Sequence, residues 1–130
     1  MGCSVVIINI VSVVKRFFEE KLEQLTALGA NEIILDPGFG FGKTLECNYR
    51  ILKELESLKT GNRPLLAGVS RKSMINKVLG THPVEALNGT TAVHVLALLN
   101  GADILRVHDV KEAKEAVKVV QYYRELGDTC

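Results

Sequence analysis

The chain has 130 residues, a net charge of +1, 47% hydrophobic residues and no tryptophan. That length suits one domain with a real core, and 1–130 reads as a single domain with 1–14 unassigned. So small a net charge gives no reason to expect a nucleic-acid partner. Cys3, Cys47 and Cys130 are scattered, odd in number and without metal-ligand spacing. They fit a reduced, cytoplasmic chain better than a disulfide scaffold. His82, His94 and His108 are likewise too far apart in sequence to form a ligand set.

Val5 to Val14 is an almost continuous apolar run, broken by Asn9 and Ser12. It is shorter than the roughly 20 residues a membrane span needs. It has no basic region or cleavage site of a signal peptide. Met1-Gly2-Cys3 departs from a myristoylation motif at Val6. The run reads as a buried strand leading straight into a helix. From Lys15 to Leu28, apolar residues at Phe18, Leu22, Leu25 and Leu28 have helical spacing, and Gly29 supplies the stop. Glu32 to Asp36 is a short buried strand. Asn48 to Leu58 is a second helix, with Ile51, Leu52, Leu55 and Leu58 on one face. After the turn Gly61-Asn62-Arg63, Pro64 to Val69 is a second strand and Ser73 to Leu79 a short helix. Pro83 opens another helical stretch, and Thr90 to Asn100 is an apolar helix ended by Gly101. Ile104 to Val107 is a third strand. Lys111 to Arg124 is a last helix, with Ala113, Ala116, Val117, Val120 and Tyr123 inward. Alternation of this kind is α/β and implies parallel strands with right-handed crossovers, as an open doubly wound sheet or part of a (β/α)8 barrel.

The loop after the first strand is the richest segment: Asp36-Pro37-Gly38-Phe39-Gly40-Phe41-Gly42-Lys43-Thr44. It is not a phosphate-binding P-loop, because Pro37 stands where that motif has its first glycine. Its glycine spacing also departs from the dinucleotide fingerprint. Two phenylalanines exposed in a turn are hard to justify structurally and suit an aromatic ligand. The other two strands end in Ser70-Arg71-Lys72 and Arg106-Val107-His108-Asp109. In a parallel sheet these ends share one face. One carboxylate, three cations, a hydroxyl and a histidine would converge there, suited to an anion and a donor-rich heterocycle.

Each residue also has a plainer reading. Asp36 could close the turn before Pro37, and Ser70 could cap the helix that follows. Arg71 and Lys72 could be solvated charges. Arg106 lies among strand residues that read as buried, and a buried arginine needs a partner. His108 could be a satisfied loop histidine. Lys43 and Thr44 read as a solvated loop end, and His82 and His94 as structural.

The segments Leu35 to Lys43, Gly68 to Ser73 and Gly101 to Val110 resemble dihydropteroate synthase. The match runs from about Lys15 to about Arg124. The resemblance implies the C-terminal half of a TIM (β/α)8 barrel, because members of the family are about twice this length and a full barrel takes roughly 250 residues. It implies a transferase of folate biosynthesis. The enzyme condenses 6-hydroxymethyl-7,8-dihydropterin pyrophosphate with p-aminobenzoate to dihydropteroate and pyrophosphate, with Mg²⁺. Carried over by motif, Asp36, Lys72 and Arg106 are the catalytic residues. Asp36 would hold the pterin and stabilise a cationic methylene, and Lys72 would touch the pterin and the aminobenzoate pocket. Phe41 would pack on the aminobenzoate ring, Ser70 would bind its carboxylate and Arg71 would line that side. Gly68 would leave room for the pterin plane. Arg106 and His108 would grip the pyrophosphate. Sulfonamides, which mimic p-aminobenzoate, would compete there. The early loop that serves pyrophosphate and Mg²⁺ in the family has no counterpart here.

A half barrel exposes two sheet edges, so a homo-oligomer is expected, acting on small molecules without nucleic acid or membrane. The alternatives are a non-catalytic pterin- or anion-binding fragment, and another pterin-dependent barrel of the methyltransferase type. The Ser70-Arg71-Lys72 and Arg106-Val107-His108 motifs speak against the last.

Overall fold

The computed structural model describes residues 9–128. Helix α1 spans Ile10–Ala27 and α2 Leu45–Lys53, followed by a 3₁₀ turn at Leu55–Leu58. Strand β1 is Leu66–Ala67, α3 is Ser73–Leu79, and a second 3₁₀ turn covers Pro83–Glu85. Helix α4 is Leu87–Leu99, β2 is Ile104–Leu105, and α5 is Val110–Glu125.

The helix starts follow from local chemistry. Asn9 caps α1, its Oδ1 accepting from the amides of Val11 at 3.0 Å and Ser12 at 3.2 Å. Residues Ile10 to Val14 are therefore helix, which corrects the strand expected there; Val5 to Ile8 lie outside the described residues. Thr44 caps α2, its hydroxyl accepting from the Cys47 amide at 3.1 Å. Lys43-Thr44 is thus not a solvated loop end.

The sheet is parallel and shorter than expected. Leu66 pairs with Ile104 and Ala67 with Leu105. The segment around Leu35 joins through one bridge to Leu65, its amide donating to Pro64 O at 2.9 Å and its carbonyl accepting from Leu66 at 2.7 Å. The strand expected over 32–36 is reduced to this bridge. One side of it has no strand partner among the described residues. The spatial order follows the chain order, with no reversal.

The helices cover this ladder. Phe18, Leu22, Leu35, Ile51, Leu55, Leu65, Val69, Ile75 and Val93 form one buried cluster. Fully burying each such side chain contributes about 1.5–3 kcal/mol before entropy. Helix α5 packs through Ala113, Ala116 and Val120, while Tyr123 points outward, contrary to its expected inward place. No helix among the described residues is long and apolar enough to cross a membrane.

Candidate functional site

The glycine-rich loop is built from both its phenylalanines, in opposite senses. Phe39 is fully buried and Phe41 is 74% exposed, so only one of the two phenylalanines expected in the open is there. The loop turns through Gly38, Gly40 and Gly42, at φ of 71°, 89° and 65°, where a side chain would be strained. Its polar backbone is satisfied from within the fold. Asp36 Oδ1 accepts from Gly38 N at 2.9 Å, and the buried Asn48 Oδ1 accepts from Gly40 N at 2.8 Å. Lys43 donates from Nζ to Gly38 O at 2.7 Å, folded back over the loop.

Lys72 closes the assembly from the next strand end. Its Nζ donates to Phe39 O at 2.8 Å and sits 5.0 Å from the centroid of the Phe41 ring, within cation–π range. Burial lowers its pKa, Asp36 opposes that, and the nearby Arg106 and Lys43 add to it. Burial likewise lowers the pKa of Lys43, with Asp36 opposing.

Ser70 is buried and does not cap α3, whose N-cap is Lys72. Its Oγ lies 2.8 Å from His108 Nδ1 and also accepts from the His108 amide at 3.3 Å. That pair ties the ends of β1 and β2 together. Arg106, expected to be buried, is exposed; its amide donates to Ala67 O at 3.1 Å, and its guanidinium makes no hydrogen bond or ion pair among the described residues. It follows β2, where the ladder stops, so nothing covers it. Gly68 lies beneath Lys72 and Arg106; a Cβ there would meet Lys72 Nζ at 3.7 Å and Arg106 Cβ at 3.9 Å, ordinary contacts.

A cavity of about 220 Å³ opens among these groups, lined by Phe41, Gly68, Ser70, Lys72, Arg106, Val107 and His108. Six of the eight residues singled out from the sequence thus share one wall. Asp36 stands outside that lining, exposed, yet close enough for its charge to act on Lys72. Arg71 turns away. Its guanidinium forks onto Asp109, Nε to Oδ2 and Nη2 to Oδ1 each at 3.0 Å, and reaches Pro83 O. Nothing in the sequence marks Asn48 as the loop's inner support; an asparagine four residues into an amphipathic helix looks like surface. Nor did it mark Asp109 as the partner of Arg71. Among the described residues no group of three or more His, Cys, Asp or Glu could hold a metal ion.

A cationic wall, an exposed aromatic lid and a hydroxyl–imidazole pair suit a ligand that is both aromatic and anionic. The family model of the pterin binding enzymes matches residues 6–108. The chain belongs to this family. It is 47% identical over 110 residues to the dihydropteroate synthase of Escherichia coli K12, covering 83% of this chain and 39% of that protein. It is 42% identical over 117 residues to a bifunctional dihydropteroate synthase/dihydropteroate reductase of Helicobacter pylori, covering 90% of this chain and 31% of that one. Among solved structures, the Yersinia pestis dihydropteroate synthase superposes with a TM-score of 0.87 at 42% identity, over 91% of this chain and 49% of that one. A Xanthomonas albilineans dihydropteroate synthase with 4-aminobenzoic acid gives 0.87 at 36% identity, over 91% and 44%. The chain therefore spans less than half the length of these relatives.

Proposed function

We propose that this chain carries the pterin and p-aminobenzoate face of a dihydropteroate synthase, as the C-terminal half of a (β/α)8 barrel. The carrying observation is that three motifs spread over some 70 residues of sequence deliver Phe41, Gly68, Ser70, Lys72, Arg106 and His108 to one cavity at the carboxyl ends of parallel strands. The sequential strand order supports the barrel, since a doubly wound sheet would reverse.

The reaction breaks the C–O bond between the pterin methylene and pyrophosphate, whose oxygen leaves with the electron pair. The aminobenzoate nitrogen then forms the new C–N bond and releases a proton. Asp36 stabilises the cationic methylene. Phe41 covers the aminobenzoate ring and Ser70 takes its carboxylate. Lys72 gives up Phe39 O to reach the ligands. Arg106 and His108 bind the pyrophosphate and meet the charge it gains on leaving. No step is assigned to Mg²⁺.

The outer strands leave apolar grooves on both edges, one with Phe17, Leu25 and Ile34 and one with Leu105, Val107 and Val117. A second copy covering them makes the protein a homo-oligomer acting in the cytoplasm, and sulfonamides compete with p-aminobenzoate.

Titration of the folded chain with p-aminobenzoate and dihydropterin pyrophosphate, with dihydropteroate formation followed in parallel, tests this. Saturable binding that Lys72→Ala abolishes is expected. A folded chain that binds neither substrate refutes the assignment; binding without turnover leaves a pterin-site half that needs its complement.

A further inference from the structure

In the Ser70-Arg71-Lys72 motif, residues that face the cavity flank one that does not, and in the other motif the lining run Arg106-Val107-His108 stops before Asp109. Ser70, Lys72 and His108 line it; Arg71, between the first two, and Asp109, next to the third, do not. Arg71 sits at φ 55°, in the left-handed region that few non-glycine residues occupy. That turn swings its side chain away from those of its neighbours.

Every polar group of Arg71 is then spoken for inside the protein. Its amide donates to the Thr90 hydroxyl at 3.0 Å, and its carbonyl accepts from Asn76 Nδ2 at 3.1 Å. Its guanidinium holds both oxygens of Asp109 and the Pro83 carbonyl. The two side chains of the fork are 22% and 25% exposed. Hydrogen bonding to the partner is the first cause of both pKa shifts, raising that of Arg71 and lowering that of Asp109.

Asp109 is also the N-cap residue of α5, a position where an aspartate ordinarily accepts from the first-turn amides. Here its side chain makes no cap bond. The carboxylate is turned from its own helix toward Arg71, so capping does not account for it.

We propose that Asp109 is a positioning residue, which through its two-pronged grip on Arg71 fixes the Ser70–Lys72 turn and so sets the Lys72 ammonium and Ser70 hydroxyl at the cavity. The fork and the Ser70–His108 bond are two parallel cross-links between the same two strand ends, one facing the cavity and one behind it. This deepens the reading above, in which Lys72 and Ser70 touch the ligands, and it moves Arg71 from the cavity wall to its support.

The test uses Asp109→Asn, which caps a helix as well as aspartate and so leaves α5 its start. A second variant, Arg71→Asn, tolerates the left-handed backbone while losing the fork. Backbone NMR order parameters need no ligand. The turn at 70–72 is expected to fall from about 0.85 to below about 0.6 in both variants, while α4 and α5 stay rigid. Titration with p-aminobenzoate is the second readout, and binding at least about tenfold weaker is expected, as when the partner orienting a ligating group is removed. Unchanged order at 70–72 overturns the proposal. So does a loosened turn with undiminished binding. A parent chain that binds no p-aminobenzoate refutes the assigned function instead, and the order parameters then decide the clamp alone.

Discussion

Phe39 and Phe41 lie two residues apart in the same loop and should fail in opposite ways. Phe39 is fully enclosed, so Phe39→Ala removes a whole buried ring and leaves a cavity, at about 3–5 kcal/mol. Phe41 is 74% exposed, so only about a quarter of a ring worth some 200 Å² is covered. At roughly 25 cal/mol/Å² that is about 1 kcal/mol as an upper bound. Loss of the Lys72 contact at 5.0 Å adds about 0.5–1 kcal/mol. The two variants should therefore differ by about 1–3 kcal/mol. With a urea slope of about 1–3 kcal/mol per molar, the Phe39→Ala midpoint should fall at least about 1 M, and Phe41→Ala by much less. Binding should run the other way at permissive temperature: Phe41→Ala loses p-aminobenzoate while the stably folded fraction of Phe39→Ala retains it. Midpoints within about 0.3 M of each other would refute the division of labour between the two rings.

Gly89→Ala places a Cβ at 2.6 Å from Ile75 Cγ2, a stiff buried methyl, and from Leu79 Cδ1. Overpacking at about 1–3 kcal/mol should outweigh the roughly 1 kcal/mol gained in helix propensity, so the melting temperature should drop. His94 is buried with no hydrogen-bond partner on Nε2, and burial lowers its pKa. The unfolded chain then binds more protons below about pH 6.5, so stability should fall as pH drops from 6.5 toward the folded value, by up to about 1.4 kcal/mol per pH unit. Urea titrations at stepped pH should show this in the parent and a flatter profile in His94→Leu. Asn48→Ala removes the acceptor of Gly40 N and should slacken the loop, weakening p-aminobenzoate binding more than it lowers the urea midpoint.

How far each feature was legible depended on how local its cause is. Helices α3 and α5 came out within a residue or so, because helical periodicity acts within one element. The start of α1 did not, because Ile10 to Val14 is apolar enough to suit strand or helix. A single capping asparagine decided it. The three strand ends could be read as one site because parallel alternation leaves little choice about which face they share. What could not be read was which way each side chain turns. The alternation of Ser70, Arg71 and Lys72 depends on one positive φ that an arginine rarely adopts.

Arg106 shows the same limit at the level of the sheet. Its neighbours Ile104, Leu105 and Val107 have the composition of a strand covered on both faces, and from that an arginine among them must be buried and paired. The inference assumed that another strand lies beyond β2. Among the described residues none does, and Ile104 and Leu105 are themselves only half-buried. An apolar run thus reports the environment a strand suits, not whether that environment is filled. The same reasoning accounts for Ile34, apolar yet 53% exposed at the opposite edge. Both residues mark the two sides on which the ladder stops, and both are where a covering chain would lower exposure. Hydrogen exchange at Ile34 should therefore slow with protein concentration if a second copy closes that edge, and stay constant if the chain remains a monomer.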